Sequence, residues 1–322
     1  MNYRKFGNTG WQVSEIGCGM WGLAGWTGGS DMESDEALDC AVERGCNFFD
    51  TAWAYGNGKS EQILGRLIKR HRGKKLYIAT KIPPKNLKWP SKPEYTLDDC
   101  FPPDHIREYA EKSLRNLEVP IDLLQFHVWN DRWAADRRWQ EAVGLLRRQG
   151  KVNAVGVSVN RWEPENCLDT IRGGCVDAVQ VIYNIFDQAP EDRLFPLCRE
   201  RNIAVIARVP FDEGTLAGAV TRDTKFPAGD WRASYFVPEN LEASVERVDR
   251  LKEVLSPEMT LAHLALRFIL SNPDVSTTIP GMRRKNHVMS NISAGEVGPL
   301  SRSLLDELRK HRWDRKPTTW SQ

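Results

Sequence analysis

Eight short apolar runs recur along the chain, and a helix-like segment follows each of them. They are Glu15–Met20, Asn47–Asp50, Leu76–Lys81, Asp122–His127, Val152–Ser158, Asp177–Val181, Ile203–Arg208 and Ser276–Gly281. Near-continuous runs of this length suit parallel strands buried on both faces of a sheet. The segments between them place apolar residues three and four apart, as in Ile63, Leu64, Leu67 and Ile68. Ser34, Ser60 and Asp104 stand where helices should begin, and Pro164 and Pro190 precede two more. Eight such units leave two architectures, an open doubly wound sheet and a closed (β/α)8 barrel. No GxGxxG follows a strand and opens a helix, so the dinucleotide fingerprint of the open sheet is missing. The expectation is therefore one (β/α)8 TIM barrel domain over residues 1–322. The segment Tyr3–Val13, with its Gly-Asn-Thr-Gly turn, reads as an N-terminal hairpin placed to plug the barrel's bottom. Ser301–Arg312 reads as an extra C-terminal helix.

Composition removes several function classes. A net charge of +2 is too near neutral for a nucleic-acid surface. No apolar run approaches membrane-spanning length, and the opening residues lack an apolar signal-peptide core. The seven cysteines are odd in number and form no CxxC pair, which argues against a disulfide framework and against zinc. No metal, membrane or nucleic-acid partner is expected, and the reducing cytoplasm is the expected compartment.

Three long segments follow strands: 82–103, 128–135 and 210–238. All carry aromatic residues and should lie on the C-terminal face, where such barrels place their active sites. The strand ends are equally telling. Asp50, Lys81, His127, Ser158, Gln180 and Arg208 close separate apolar runs, and Tyr55 lies five residues after Asp50. Taken singly, each has a structural reading: Asp50 as a turn residue, Tyr55 as a loop aromatic, Lys81 facing water, His127 as a core histidine. A barrel brings them all to one rim. Carbonyl reduction needs a hydride at carbon and a proton at oxygen. A tyrosine hydroxyl can give that proton, although its free pKa is about 10. A nearby ammonium makes it a stronger acid. A carboxylate keeps the ammonium charged and placed, and a histidine orients the oxygen.

These residues sit in motifs. The segment NFFDTAWAYGNGKSEQILG around Asp50 and Tyr55 resembles the signature of the aldo-keto reductase family. The resemblance continues through IATK at Lys81, LLQFH at His127, GVSVN at Ser158, TTIPGMRRKNHVMSN near the end and the Met20-Trp21-Gly22 turn. It implies catalysis by Asp50, Tyr55, Lys81 and His127, with Tyr55 as general acid or base, and NADPH/NADP+ as cofactor. Ser158 and Gln180 are then expected to hold the nicotinamide carboxamide. Asn160 is also expected at the cofactor, although Val159 intervenes where the family often has Asn directly after that Ser. Arg208 replaces a frequent stacking Tyr, and its guanidinium could stack on the nicotinamide or contact the pyrophosphate. The stretch Pro210–Leu216, with Phe211 and Gly214, is expected to run over the pyrophosphate. Gly281–Asn291 is expected to take the far end, with Arg283 at a 2′-phosphate and Asn291 at the adenine. His287 stands where Gln or Arg is common.

Trp21 is expected at both the cofactor and the substrate pocket, with Trp89 and Trp129 also in the pocket wall. Beyond Arg312 the chain has only ten more residues, a short tail in which Trp320 could fold over the site. The reading is thus an NADPH-dependent reductase of aldehydes or ketones, monomeric or weakly self-associating, with a small-molecule carbonyl or sugar as substrate. A polyol dehydrogenase running in the oxidative direction uses the same residues. A non-catalytic nucleotide-sensing subunit is the reading from another class. A metal-dependent barrel hydrolase lacks the necessary ligand cluster.

Overall fold

The computed structural model describes residues 1–25, 30–227 and 229–321. A hairpin of β1 (Tyr3–Lys5) and β2 (Gln12–Ser14) opens the chain. Eight parallel strands follow: β3 (Cys18–Gly19), β4 (Phe48–Asp50), β5 (Tyr77–Ile82), β6 (Ile121–Phe126), β7 (Val152–Ser158), β8 (Ala178–Ile182), β9 (Ala204–Arg208) and β10 (Thr277–Thr278). Each pairs with the next in chain order. Parallel bridges from Ile16 to Thr278 and from Gly19 to Gly281 join the last strand to the first. The Gly17 N–H donates to the Thr278 carbonyl at 2.8 Å. The sheet is therefore a (β/α)8 barrel. Each of its two closing strands spans only two residues, less than the runs Glu15–Met20 and Ser276–Gly281 suggested. The backbones meet closely at this seam. A Cβ on Gly19 would lie 2.5 Å from the Ile279 carbonyl oxygen, so a side chain there would wedge the closure open.

Helices cover the outside, among them Asp31–Glu43, Lys59–Arg70, Pro103–Leu117, Arg137–Arg148, Leu194–Arg201 and Leu261–Leu270. The first begins ahead of Ser34 because Ser30 and Glu33 form a capping box. The helix expected at Asp104 starts at Pro103, a residue suited to a first turn. Pro238–Lys252 lies within the long excursion between β9 and β10, and Arg302–Arg309 is the extra C-terminal helix. Among the described residues no helix is long and apolar enough to cross a membrane.

Two apolar layers result. The larger packs the outward strand faces against the helices. The smaller fills the barrel: Phe48, Tyr77, Ala79, Leu123, Ala154, Ala178, Ala204, Ile206 and Ile279, joined by Phe6 and Val13 of the hairpin. Phe6 stacks on Trp11, and Trp11 stacks on Tyr77, so the hairpin plugs the bottom as its sequence suggested.

Trp129 belongs to the outer layer. It is fully buried, packs on Phe126, Trp133 and Trp139, and donates its indole N–H to Thr170 Oγ1 at 2.7 Å. The structure therefore does not place it in the pocket wall. Trp89, by contrast, is 40% exposed. Trp129→Ala should destabilise the protein by about 3–5 kcal/mol, the usual cost of emptying a buried aromatic site. Trp89→Ala should stay within about 0.5 kcal/mol. Urea unfolding of both variants checks this; equal losses would contradict the placement.

Candidate active site

Inward-facing positions alternate along each strand, and they change character from bottom to top. In β4 the inward pair is Phe48 then Asp50; in β5 it runs Tyr77, Ala79, Lys81. The residues of β6 lead from Leu123 through Gln125 to His127 just beyond it. Further round, Ala154 leads to Ser158, Ala178 to Gln180, and Ala204 through Ile206 to Arg208. The lower layer is apolar and the upper one polar. In-register pairing sets Asp50 beside Ala79, Lys81 beside Gln125 and Ser158 beside Gln180. Gly156 keeps room at the centre, since a Cβ there would lie 3.3 Å from Gln125 Cγ and 3.0 Å from the Ala178 carbonyl oxygen.

Asp50 is the hub. Its Oδ1 accepts from Lys81 Nζ at 2.5 Å. Its Oδ2 accepts from Gln125 Nε2 at 3.0 Å and from Gln180 Nε2 at 2.8 Å. Gln180 Nε2 also reaches Gln125 Oε1 at 3.1 Å. Lys81 donates further to the Thr51 carbonyl at 2.8 Å and to the Tyr55 hydroxyl at 3.3 Å. Three acceptors thus match the three donors of the ammonium. Burial alone would discharge Lys81, but Asp50 and Tyr55 outweigh it and raise its pKa above the ordinary value. Gln125 was not singled out in the sequence. Its only signal was a polar residue two positions before His127, on the same inward face.

Tyr55 is folded back over the rim by a tight turn, in which its N–H donates to the Ala52 carbonyl at 3.0 Å. Burial raises the pKa of its phenol, Lys81 lowers it, and the balance lies above the ordinary value. The His127 ring stands edge-on to Tyr55 and to Trp89, with ring centres 5.5 Å apart in each case. Burial, then Lys81 and Arg208, hold the imidazole well below its usual pKa, so it is neutral at working pH. Among the described residues, His127 Nδ1 and Arg208 Nε are buried polar atoms without a partner. Arg208 Nη2 donates to the Val159 carbonyl at 2.9 Å. Burial and the neighbouring Arg161 push the Arg208 pKa down to about 10.

The remaining expected residues divide. Gln180 commits its amide nitrogen to Asp50 and Gln125. Asn160 is engaged elsewhere: it accepts from the Ser91 N–H at 3.2 Å, donates to the Ser91 carbonyl at 2.8 Å and donates to Glu163 at 2.7 Å. Its side chain ties the loop after β5 to the loop after β7. Pro210 and Leu216 are buried, while Phe211 is half-buried against the outer core. Gly214 bends the chain there at φ 113°. Trp21 is 39% exposed and meets Trp231 edge-on at 6.3 Å, joining the loops after β3 and β9. Trp320 packs on Trp162 and Tyr235.

Past β10, Gly281 leads into the helix Lys285–Glu296. Arg283 is half-buried near its start. Burial, then Arg284 and Arg232, lower its pKa. Burial with Arg283 and Arg284 likewise lowers the pKa of His287. Asn291 is buried behind them, with Nδ2 3.4 Å from the Gly281 carbonyl. Cations gathered at a helix start make a setting for phosphate. Together with Arg208 Nε, a buried donor without a partner among the described residues, these groups fit a nicotinamide dinucleotide. Among the described residues no cluster of His, Cys, Asp and Glu could hold a metal ion.

Comparison with known proteins identifies the family. The profile of the Aldo/keto reductase family matches residues 15–312. Aldo-keto reductase yakc (NADP(+)) of Schizosaccharomyces pombe is 32% identical, over 95% of this chain and 90% of its own. The NADH-specific methylglyoxal reductase of Escherichia coli is 28% identical, over 89% and 91%. The glycerol dehydrogenase AKR11B4 from Gluconobacter oxydans superposes with a TM-score of 0.78 at 26% identity, over 99% of this chain and 98% of that one. The chain belongs to the aldo-keto reductase family.

Proposed function

We propose that the protein reduces aldehyde or ketone carbonyls to alcohols with NADPH, using Tyr55 as the general acid. The observation that carries this reading is the buried Lys81 ammonium, fixed by Asp50 on one side and set 3.3 Å from the Tyr55 hydroxyl on the other. When bound, the nicotinamide supplies the hydride in reduction and accepts it in oxidation. The chain's own groups handle the proton. Tyr55 donates it to the carbonyl oxygen, and Lys81 stabilises the phenolate left behind. Asp50 keeps Lys81 charged and aimed, and Gln125 and Gln180 hold Asp50. His127, neutral, hydrogen-bonds the same oxygen and sets its angle. Ser158 and Gln180 hold the carboxamide, Arg208 lies against the ring or the pyrophosphate, and Trp21 and Trp89 wall the pocket. In the oxidative direction Tyr55 takes the proton up again. The likeness to a glycerol dehydrogenase makes polyols worth testing with NADP+. A screen of aldehydes, ketones and dicarbonyls, read by NADPH absorbance, tests the reading. Tight NADPH binding with no turnover in either direction would replace it by a sensing role.

Tyr55→Phe removes one oxygen and should lower single-turnover reduction by about 10²–10⁴-fold at saturating NADPH. Lys81→Met should be of similar severity, and the double variant should lose little more, since both act on one proton transfer. A phenylalanine variant working at the parent rate would remove Tyr55 from the mechanism.

The pH dependence follows from the directions of the shifts. Tyr55 must be protonated to act as acid, and its raised pKa keeps it so through neutral and mildly alkaline pH. Reduction measured as kcat/KM should therefore decline only above about pH 10, the ordinary tyrosine value. His127, with its lowered pKa, should contribute no acid limb near its ordinary value of about 6.5. A steep loss between these limits would contradict the assignment.

Arg283 is assigned to the 2′-phosphate. Arg283→Ala should weaken NADPH by about 10- to 100-fold and NADH far less, because a charged hydrogen bond of about 1.5–3 kcal/mol is lost only with NADPH. Fluorescence titration with both cofactors decides, and equal losses would remove the assignment.

A further inference from the structure

The chain beyond Arg302–Arg309 returns to the top of the barrel and buries a charge there. Arg315 is only 3% exposed. Its guanidinium lies against two indole rings, 4.7 Å from the centre of Trp162 and 4.6 Å from that of Trp313. It holds two carboxylates from different loops. Nε donates to Asp187 Oδ1 at 3.1 Å, and Nη2 bonds Asp187 Oδ2. The same Nη2 donates to Asp212 Oδ1 at 2.8 Å, and Nη1 donates to the Tyr235 hydroxyl at 3.3 Å.

Asp212 lies in the loop after β9, and that loop is conformationally costly. Val209, Asp212 and Glu213 have φ of 56°, 43° and 57°, in the left-handed region that residues with a Cβ rarely adopt. Such a backbone persists only where its surroundings over-determine it. Each of the three is held. The Val209 carbonyl accepts from Asn184 Nδ2 at 3.1 Å, and the same nitrogen donates to Asp187 Oδ2 at 2.9 Å. Glu213 pairs with Arg161 at 2.5 Å. Asp212 accepts from Thr215 at 2.8 Å and from Arg315. Asp187 thus grips the loop twice, through Asn184 and through Arg315, and the second grip comes from the tail.

A buried ion cluster is a weak source of net stability, because desolvation offsets most of its attraction. What this one supplies is a single arrangement of the loop. We propose that Arg315 is a positioning residue for the cofactor. By clamping Asp212 it holds residues 209–216 in the shape that borders the dinucleotide, and so governs how long the cofactor stays. The inference rests on the reading that this loop borders the cofactor. It gives the short tail a role in cofactor retention.

Stopped-flow displacement of bound NADPH, followed by fluorescence, tests this. Arg315→Gln should release NADPH about 10- to 100-fold faster, the range for losing a charged hydrogen bond. Arg315→Lys keeps the charge but not the fork, and should fall between the two. Asp212→Asn leaves the Arg315–Asp187 pair in place and should also speed release, which keeps the test valid if Arg315→Gln folds poorly. The carbonyl KM at saturating NADPH should move far less than the release rate; a general loosening of the fold would move both. Parent-rate release from folded Arg315→Lys and Asp212→Asn proteins would overturn this inference alone. A parent protein that binds neither NADPH nor NADH would overturn the reading of the site as well.

Discussion

A lysine and an aspartate share the centre of this barrel with side chains only 1% and 3% exposed, and the arrangement around them follows from that. An ammonium and a carboxylate taken out of solvent lose hydration worth several kcal/mol per ion, and one contact does not restore it. Here every remaining site is filled. Lys81 finds three acceptors, and Asp50 finds Lys81 on one oxygen and two amides on the other. Those amides come from β6 and β8, so three strands beyond β4 contribute to one carboxylate. The curvature of the barrel brings side chains from strands so far apart in sequence to a common point. The hairpin beneath and the apolar layer above it complete the seal from below, and the pair opens only toward the rim where Tyr55 stands.

Much of this was legible in the sequence, for a physical reason. A strand buried on both faces reads as an unbroken apolar run, so a charged residue at its end stands out: Asp50, Lys81, His127 and Arg208 were found in that way. Gln125 escaped because it interrupts a run instead of ending it, although its period-two spacing from His127 was available. Direction was harder to read than type. Trp129 sits in an aromatic-rich loop at the right end of the barrel, yet its ring turns outward onto Phe126 and Trp139, and nothing in the residue order says which way a loop side chain turns. Asn160 has the expected chemistry, but with Val159 before it the amide reaches across to Ser91 and fastens two loops together. The tail shows the same limit. The two carboxylate partners of Arg315 lie more than a hundred residues away, so the residue order does not announce them.

The loops of the upper face are joined to one another as well as to the barrel. Asn160 links the loop after β7 to that after β5, and Trp21 meets Trp231 across the mouth. Arg161 reaches Glu213, and its guanidinium lies 4.9 Å from the ring centre of Tyr235. Precise placement of a ligand requires such cross-bracing, since loops anchored only at their ends move too freely to hold atoms within a fraction of an ångström. The barrel sets the lower half of the site by strand register, and these ties set the upper half by contacts between loops.

Charge balance at the rim completes the physical case for a dinucleotide. Lys81 is neutralised by Asp50, and Arg315 by Asp187 and Asp212. Among the described residues Arg208 pairs with no carboxylate, and its Nη2 donates to the Val159 backbone carbonyl. Burial and the nearby Arg161 both work against its charge, which is why its pKa sits near 10. A guanidinium in that position is a poor choice for stability alone, because an apolar side chain would avoid both costs. It becomes favourable once an anion or the face of an electron-rich ring lies beside it, as pairing and stacking both suit a flat, weakly hydrated cation. At the far end Arg283 stands with Arg284 and Arg232 near a helix start, and burial and these two cations lower its pKa. Buried positive charge at the rim and a group of cationic residues at the helix after β10 suit the proposed cofactor, whose negative charge is spread along its length.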